Sequence, residues 1–339
     1  MKVTLQRSRR RAFLIFPFLV LPLLHVAPSG ATRPAQQTSP AAAAVARDAP
    51  DTSGMIKLTV TVSGEKGEFI TGLTKDAFAV FEGKSQREVS YFNHDEVPAS
   101  VGILIDVSGS MRAEDVHAAK QTTARFIQRS DPNNEYFIGE FNREWRELAD
   151  WTRDEGAIIE GLRKATKTKS QEGETKKRIP YWRTALYDAC FAALGKLASG
   201  AHPKRVLFII TDGNEDNAST HKFSELQNLI RSSGVLIYAV CLSTLNSPAG
   251  WQQEKIHELT ALSGGRSYFP SKGKEVEEVI DRMALELRCQ YVVGFAPTNS
   301  APGGKWNKVK IKVTPPVKIK NLFVRSREGY FSPVTTPAP

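Results

Sequence analysis

The strongest constraint on the fold is a long alternation of apolar strands with helices over residues 99–288. Residues 101–105 and 206–210 are continuous apolar runs, which are typical of strands buried on both faces of a sheet. Apolar residues such as Val116 and Ala119 recur at helical spacing after the first of these runs. Strands that alternate with helices indicate a sheet that helices cover on both faces. The sequence therefore predicts an α/β fold with a doubly wound, mostly parallel sheet.

Shorter strand patterns flank this region on both sides. Residues 55–98 form a β-rich segment with apolar alternation and turn signals, and residues 289–331 form a second one. Each flank has too few strands to close a core alone. We therefore expect the two flanks to pair in one β-sandwich, with the α/β domain of residues 99–288 inserted in it.

The N-terminus resembles a signal peptide over residues 1–31. A basic start precedes the apolar run of residues 12–24. A membrane-spanning helix needs about 20 apolar residues, whereas this run is shorter and contains Pro17 and Pro22. We therefore expect cleavage and no integral membrane span afterwards, with retention as an anchor as the alternative. The location would be periplasmic, cell-surface or secreted, and Arg10-Arg11 resembles the twin-arginine export signature.

Two further segments lack the apolar residues that a packed core needs. Residues 32–54 are rich in Ala and Pro and predict a disordered linker, and residues 332–339 predict a disordered tail. The formal net charge of +10 includes five basic residues before residue 12, so removal of the signal lowers it to +5. The remaining positive charge comes with no recognised nucleic-acid-binding motif, so we expect no nucleic acid as a partner.

The three cysteines all lie in or beside apolar sequence. They match no disulfide or zinc spacing, so a disulfide framework is excluded, although one bridge stays open. We expect Cys190, Cys241 and Cys289 to act as small hydrophobic residues.

Oxygen-bearing side chains follow two of the predicted buried strands. Asp106, Ser108 and Ser110 leave the end of the first strand at alternate positions, Asp212 follows the strand at 206–210, and Thr184 precedes a helix. Doubly wound sheets bind ligands at the carboxyl ends of their strands. Carboxylate and hydroxyl oxygens suit hard cations rather than zinc. A divalent-cation site is thus predicted, with a simple helix N-cap as the alternative for the first motif.

The sequences DVSGSM, TALYDA and TDG, in this order, resemble the von Willebrand factor type A (VWA) domain and its metal-ion-dependent adhesion site. The flanking sequences GLTKDAFAVFEGK and REGYF are similar to a bacterial group of exported proteins related to that domain. The resemblance implies that the protein binds Mg²⁺, or Mn²⁺ or Ca²⁺ in its place. It also implies that the ion coordinates an exposed Asp or Glu of a protein partner. The implied metal ligands are Asp106, Ser108, Ser110, Thr184 and Asp212. Arg183 departs from the family pattern, in which a small residue often precedes the threonine.

A basic stretch over residues 164–183 runs directly into Thr184. It contains seven Lys and Arg residues against Glu172 and Glu174. We expect it to attract an acidic partner surface, with a solvated loop as the alternative. The candidate partner-binding residues are Arg183, Lys176, Lys177, Arg178 and Trp182.

The sequence therefore indicates an exported, metal-dependent protein-binding module and not an enzyme. It contains no G-x-S-x-G motif and no paired histidines at metal-ligand spacing. Ser108 also stands where phosphatases with an aspartate nucleophile carry an acid. A structural envelope or scaffold protein with a non-essential metal site is the main alternative, and a metal-dependent hydrolase is the weaker one.

Overall fold

A computed structural model describes residues 54–166, 183–215, 217–242, 249–271, 273–297, 304–315, 319 and 321–332. The predicted signal peptide, all but the last residue of the predicted linker and all but the first residue of the predicted tail lie outside these residues. Those three assignments stay predictions.

The described residues form fourteen strands and six α-helices. The strands are β1 (Ile56–Ser63), β2 (Phe78–Glu82), β3 (Ser85–Arg87), β4 (Tyr91–Asn93), β5 (Ala99–Asp106), β6 (Glu135–Phe141), β7 (Trp145–Thr152), β8 (Lys204–Thr211), β9 (Leu236–Cys241), β10 (Arg266–Tyr268), β11 (Tyr291–Phe295), β12 (Trp306–Val313), β13 (Phe323–Arg325) and β14 (Gly329–Phe331). The helices are α1 (Ala113–Arg129), α2 (Glu155–Lys164), α3 (Leu186–Leu197), α4 (Phe223–Ser233), α5 (Ala249–Ser263) and α6 (Lys274–Arg288).

Six strands form a central sheet in the order β10-β9-β8-β5-β6-β7. The first five run parallel, and β7 pairs antiparallel with β6 at the edge. All eight residues of β5 are buried, as expected for a strand in the middle of a sheet with two covered faces. The predicted α/β fold with a mostly parallel sheet is confirmed.

Side chains of the central strands alternate between two apolar layers. Ile103 and Ile105 pack in a core that contains residues of α1 and α6, whereas Leu104 packs in a core with residues of α3, α4 and α5. Cys190 and Cys241 belong to the second core, and neither forms a disulfide. Both act as small hydrophobic residues, as predicted, while Cys289 is partly buried.

The flanking segments form two antiparallel four-stranded sheets, in the orders β13-β1-β11-β4 and β14-β12-β2-β3. Strand β1 pairs with β11, and β2 pairs with β12, so each sheet contains strands from both flanks. Leu58, Val80, Val293 and Ile311 share one core between the two sheets. The predicted β-sandwich is present, with the α/β domain inserted between β4 and β11.

A buried polar network joins the sandwich to the α/β domain. Glu286 of α6 is fully buried and forms an ion pair with Arg325 of β13. Its carboxylate also accepts hydrogen bonds from Tyr238 Oη at 2.6 Å and Thr61 Oγ1 at 3.3 Å. The Gln290 amide donates to both of those hydroxyls. Buried charges are stable only when they are paired and hydrogen-bonded, so this network favours one relative position of the two parts.

Candidate metal centre

The first motif forms a turn directly after β5. Asp106 is fully buried, and its Oδ1 accepts a hydrogen bond from the backbone N–H of Ser108 at 2.9 Å. The Oγ atoms of Ser108 and Ser110 lie 3.0 Å apart. The intervening Val107 and the following Met111 are buried in the core. Apolar side chains thus anchor the turn, while the carboxylate and both hydroxyls form a connected polar group.

The neighbouring strand β8 ends beside this turn. Thr211 Oγ1 donates to Asp106 Oδ2 at 2.6 Å, so a hydrogen bond joins the ends of the two strands directly. Asp212 follows and is partly buried. Its carboxylate accepts hydrogen bonds from the backbone and the side-chain amide of Asn214, both at 3.0 Å. Gly213 has φ +87°, a conformation that favours glycine and turns the chain away after the aspartate.

The two carboxylates influence each other. Burial, and then the negative charge of Asp212, raise the pKa of Asp106 to about 7, against the lowering effect of hydrogen bonds from Ser108 and Thr211. A divalent cation between two carboxylates reverses this effect, because an opposite charge favours ionisation. The donor set of carboxylate and hydroxyl oxygens also fits a hard cation.

Thr184 lies at the same edge of the sheet, next to the end of β6. The backbone N–H of Val107 donates to Phe141 O at 2.8 Å, and that of Ala185 donates to Asn142 O at 2.7 Å. The end of β6 thus lies between the turn after β5 and the segment before α3. Thr184 is fully buried there. All five predicted ligands lie at the carboxyl edge of the sheet.

Three further residues support this edge, and sequence reasoning did not identify them. One is Thr211, described above. The other two are Glu215 and Ser219, whose carboxylate and hydroxyl accept hydrogen bonds from the N–H of Tyr187, at 3.3 and 3.1 Å. Ser219 Oγ also donates to Glu215 at 2.9 Å. Burial raises the pKa of Glu215. Glu215 and Ser219 thus cap the start of α3, two residues after Thr184.

A second contact holds the same loop against α3. His221 Nδ1 lies 2.6 Å from Asp188 Oδ1, and the His221 ring stacks on Phe191 at 3.8 Å. Burial opposes ionisation of Asp188, but hydrogen bonds from the N–H groups of Thr220 and His221 hold its pKa below the usual value. The loop that carries Asp212 is therefore fixed at both of its ends.

A cation at this edge would need hydroxyl ligands as well as carboxylates. The described part of the chain contains no group of three or more His, Cys, Asp or Glu side chains that could hold a metal. Asp106 and Asp212 are two carboxylates, and the other three predicted ligands are Ser108, Ser110 and Thr184. This donor set suits Mg²⁺, Mn²⁺ or Ca²⁺ better than a soft metal.

Most of the predicted partner-binding stretch lies outside the described residues. This applies to Lys176, Lys177, Arg178 and Trp182, so their role stays a prediction. Arg183 is described, partly buried and adjacent to Thr184. Its role in partner binding also stays a prediction.

The sheet and its edge define a class of protein: a doubly wound α/β domain with a polar ligand site at the carboxyl ends of neighbouring strands. Within this class, residues 101–215 match the family model of the von Willebrand factor type A domain. The chain therefore contains a VWA domain, as its three motifs indicated. No curated protein matches the sequence.

Solved structures similar to this chain include BatB from Bacteroides thetaiotaomicron, with 15% identity and a TM-score of 0.44 over 56% of this chain and 98% of that chain. Another is proximal thread matrix protein 1 from mussel byssus with a zinc-occupied MIDAS motif, at 15% identity and a TM-score of 0.46 over 60% of this chain and 48% of that one. A von Willebrand factor type A protein from Catenulispora acidiphila has 11% identity and a TM-score of 0.44 over 75% of both chains.

None of the helices in the described residues is both long enough and apolar enough to cross a membrane.

Proposed function

We propose that this protein is an exported, non-enzymatic interaction module, whose VWA domain binds one divalent cation and through it an acidic residue of a partner protein. The observation that carries the proposal is the hydrogen-bonded contact between two strand ends, where Thr211 of β8 donates to the buried Asp106 of β5. The hydroxyls of Ser108 and Ser110 follow Asp106 in the same turn and lie 3.0 Å apart, and the charge of Asp212 acts on the Asp106 carboxylate.

The charge of the ligand set supports an acidic partner. Asp106 and Asp212 carry two negative charges at most, and the hydroxyl ligands add none. A divalent cation held there is not overcompensated, so an open coordination position can still take an additional carboxylate. Ser110 is exposed, unlike Asp106 and Ser108, which supports a centre that is open to solvent on this side. When bound, the cation supplies the coordination position for the incoming carboxylate, while the side chains of the domain fix its place.

The non-enzymatic assignment is supported by what surrounds Asp106. Its carboxylate oxygens accept hydrogen bonds from the Ser108 N–H and the Thr211 hydroxyl. Neither group titrates near neutral pH, and a bound cation would lower the raised pKa of Asp106, so that its carboxylate stays ionised as a ligand. A rigid carboxylate with fixed donors is suited to holding a cation.

Metal titration tests the proposal directly. Isothermal titration with Mg²⁺, Mn²⁺ and Ca²⁺ should show one site in the wild type and no site in Asp106→Asn, which keeps the shape of the side chain and removes its charge. Asp76→Asn is the matched control, because Asp76 is exposed on the sandwich. Unchanged titration in Asp106→Asn, with a native circular-dichroism spectrum, would refute the metal assignment.

Export is tested separately. A fusion of residues 1–60 to a reporter enzyme that is active only outside the cytoplasm should give activity in a Gram-negative host. Replacement of Arg10 and Arg11 by Lys should abolish activity if the twin-arginine route is used and leave it unchanged if the general secretory route is used. A reporter that stays inactive in both forms contradicts the export proposal.

A further inference from the structure

A cleft of about 670 Å³ lies between the β-sandwich and the α/β domain, on the side of β10. Its walls include the turn after β1, the end of α5, part of α6 and the segment from β13 to β14. Its volume is in the range of ligand sites, which often lie between two structural units. The cleft is separate from the metal centre, because β10 lies two strands from β8 and three strands from β5 in the sheet. At about 4.8 Å per strand, this separation is on the order of 10–15 Å.

The cleft carries an excess of positive charge. Five cationic side chains line it against the two carboxylates Glu65 and Glu328, a formal excess of +3 with His257 neutral. The cationic residues are Arg266, Arg282, Lys310, Arg325 and Arg327. Arg325 is neutralised by Glu286. In the described part of the chain, Arg266, Arg282 and Lys310 form no ion pair. With Arg325 neutralised by Glu286, an excess of +2 (four cations against two carboxylates) remains in the cleft.

The uncompensated arginines are held by groups that leave their charge intact. Arg282 donates to Gly67 O at 2.7 Å and lies over the ring of Phe69 at 5.5 Å. Arg266 lies over the ring of Tyr268, also at 5.5 Å. Carbonyl oxygens and aromatic faces orient a guanidinium without neutralising it. The positive groups are therefore in place before any ligand arrives.

Burial, and then the charge of Glu286, raise the pKa of Tyr268, whereas Arg266, Arg325 and Arg282 all act to lower it. The charges of these three arginines thus act on the same buried hydroxyl of β10.

An apolar rim accompanies the charge. Phe323 is 59% exposed on β13, an edge strand whose neighbour in its sheet is β1. The volume is far larger than a single carboxylate or phosphate group needs, since one water occupies about 30 Å³ of the liquid. Glu65 and Glu328 repel a ligand that is negative along its whole length, such as a nucleic acid. The lining instead suits a chain with spaced carboxylates and an apolar side chain.

We propose that this cleft binds an extended acidic peptide segment of a partner protein, with an aromatic or aliphatic side chain seated against Phe323. Binding here needs no cation, since Arg266, Arg282 and Lys310 supply the charge directly. The site is therefore independent of the proposed metal function.

Fluorescence anisotropy with a labelled peptide, Glu-Asp-Phe-Glu-Asp-Glu, tests the proposal in EDTA with the full mature chain. The double variant Arg266→Gln/Lys310→Gln should weaken binding by about tenfold, because two uncompensated charges are lost. The matched control is Lys75→Gln/Lys84→Gln, which removes the same charge from exposed positions of the sandwich. It should bind within about twofold of the wild type, since surface charges outside the site contribute little. Phe323→Ser, which changes no charge, should also weaken binding.

Several outcomes would overturn this inference. Equal weakening in the two double variants would indicate unspecific attraction, and equal binding of the peptide Gln-Asn-Phe-Gln-Asn-Gln would exclude recognition of charge. Displacement of the peptide by low-millimolar inorganic phosphate, or tighter binding of duplex DNA, would assign the cleft to another ligand. Binding that needs Mg²⁺ and is lost in Asp212→Asn would move the peptide to the metal centre. If the protein binds the peptide in EDTA but binds no metal in the titration, the cleft proposal stands and only the proposed metal function is refuted.

Discussion

At the scale of single residues, hydrogen bonds between distant segments shape the candidate centre. Asp106, Ser108 and Ser110 were predictable, because alternate polar residues after an apolar run indicate a strand end. Thr211 was not identified, since the hydroxyl precedes the aspartate of its motif and its partner lies 105 positions away. Glu215 caps a helix that begins 29 residues before it, which no local capping pattern reveals. Local polarity thus predicted which side chains lie at the strand ends but not the groups that form hydrogen bonds to them.

Thr211→Val should weaken cation binding without removing it. The valine has nearly the same shape but cannot donate to Asp106, and loss of a group that orients a metal ligand typically costs 10–100-fold in affinity. Mg²⁺ titration calorimetry measures the change. Thr59→Val on β1 is the control, because Thr59 lies in the sandwich. An affinity equal to that of the wild type would show that the Thr211 hydroxyl has no orienting role.

At the scale of elements, burial decided what the sequence could predict. Strands β5 and β8 are central and apolar throughout their inner residues, so their positions follow from composition. Strand β7 and helix α2 were not predicted. β7 is an edge strand with the sequence WRELADWT, and only one of its eight residues is buried. An edge strand needs no apolar alternation, because hydrogen bonds to one neighbour and partial cover by α2 are sufficient to place it.

The start of β8 carries a lysine whose burial affects stability. Lys204 donates to Leu287 O at the end of α6. Burial lowers the pKa of Lys204 to about 8, although Glu286 and other carboxylates oppose this shift. Between about pH 8 and the usual lysine value the unfolded chain binds more protons than the folded one, so the stability contribution of Lys204 rises with pH in this window.

Lys204→Met should remove this dependence. Below pH 8 the wild type carries the cost of a buried charge, and the variant does not. The free energy of unfolding of the wild type, relative to that of Lys204→Met, should therefore increase from pH 8 to pH 10, as measured by urea denaturation at each pH. Parallel stability curves for the two proteins across this range would contradict the prediction.

At the scale of the whole molecule, the two parts of the structure depend on one buried ion pair. Arg325→Met should destabilise the protein by about 3–5 kcal/mol, because it leaves the Glu286 carboxylate buried without its cation. The double variant Arg325→Met/Glu286→Gln should recover part of this loss, since the uncompensated charge is then gone. Guanidinium denaturation of the wild type, both single variants and the double variant gives the coupling energy. Additive losses would show that the pair contributes no coupling.

The insertion of the α/β domain between β4 and β11 also determines how the molecule carries mechanical load. The first and the last described strands, β1 and β14, both belong to the sandwich, so tension along the chain from either flank enters there. A partner bound at the carboxyl edge of the central sheet, as proposed above, would pull instead on the VWA domain. The two forces meet where the domain is attached, at the starts of β5 and β11. The antiparallel pair β1–β11, with five residue pairs in register, then acts as the joint that resists separation under shear.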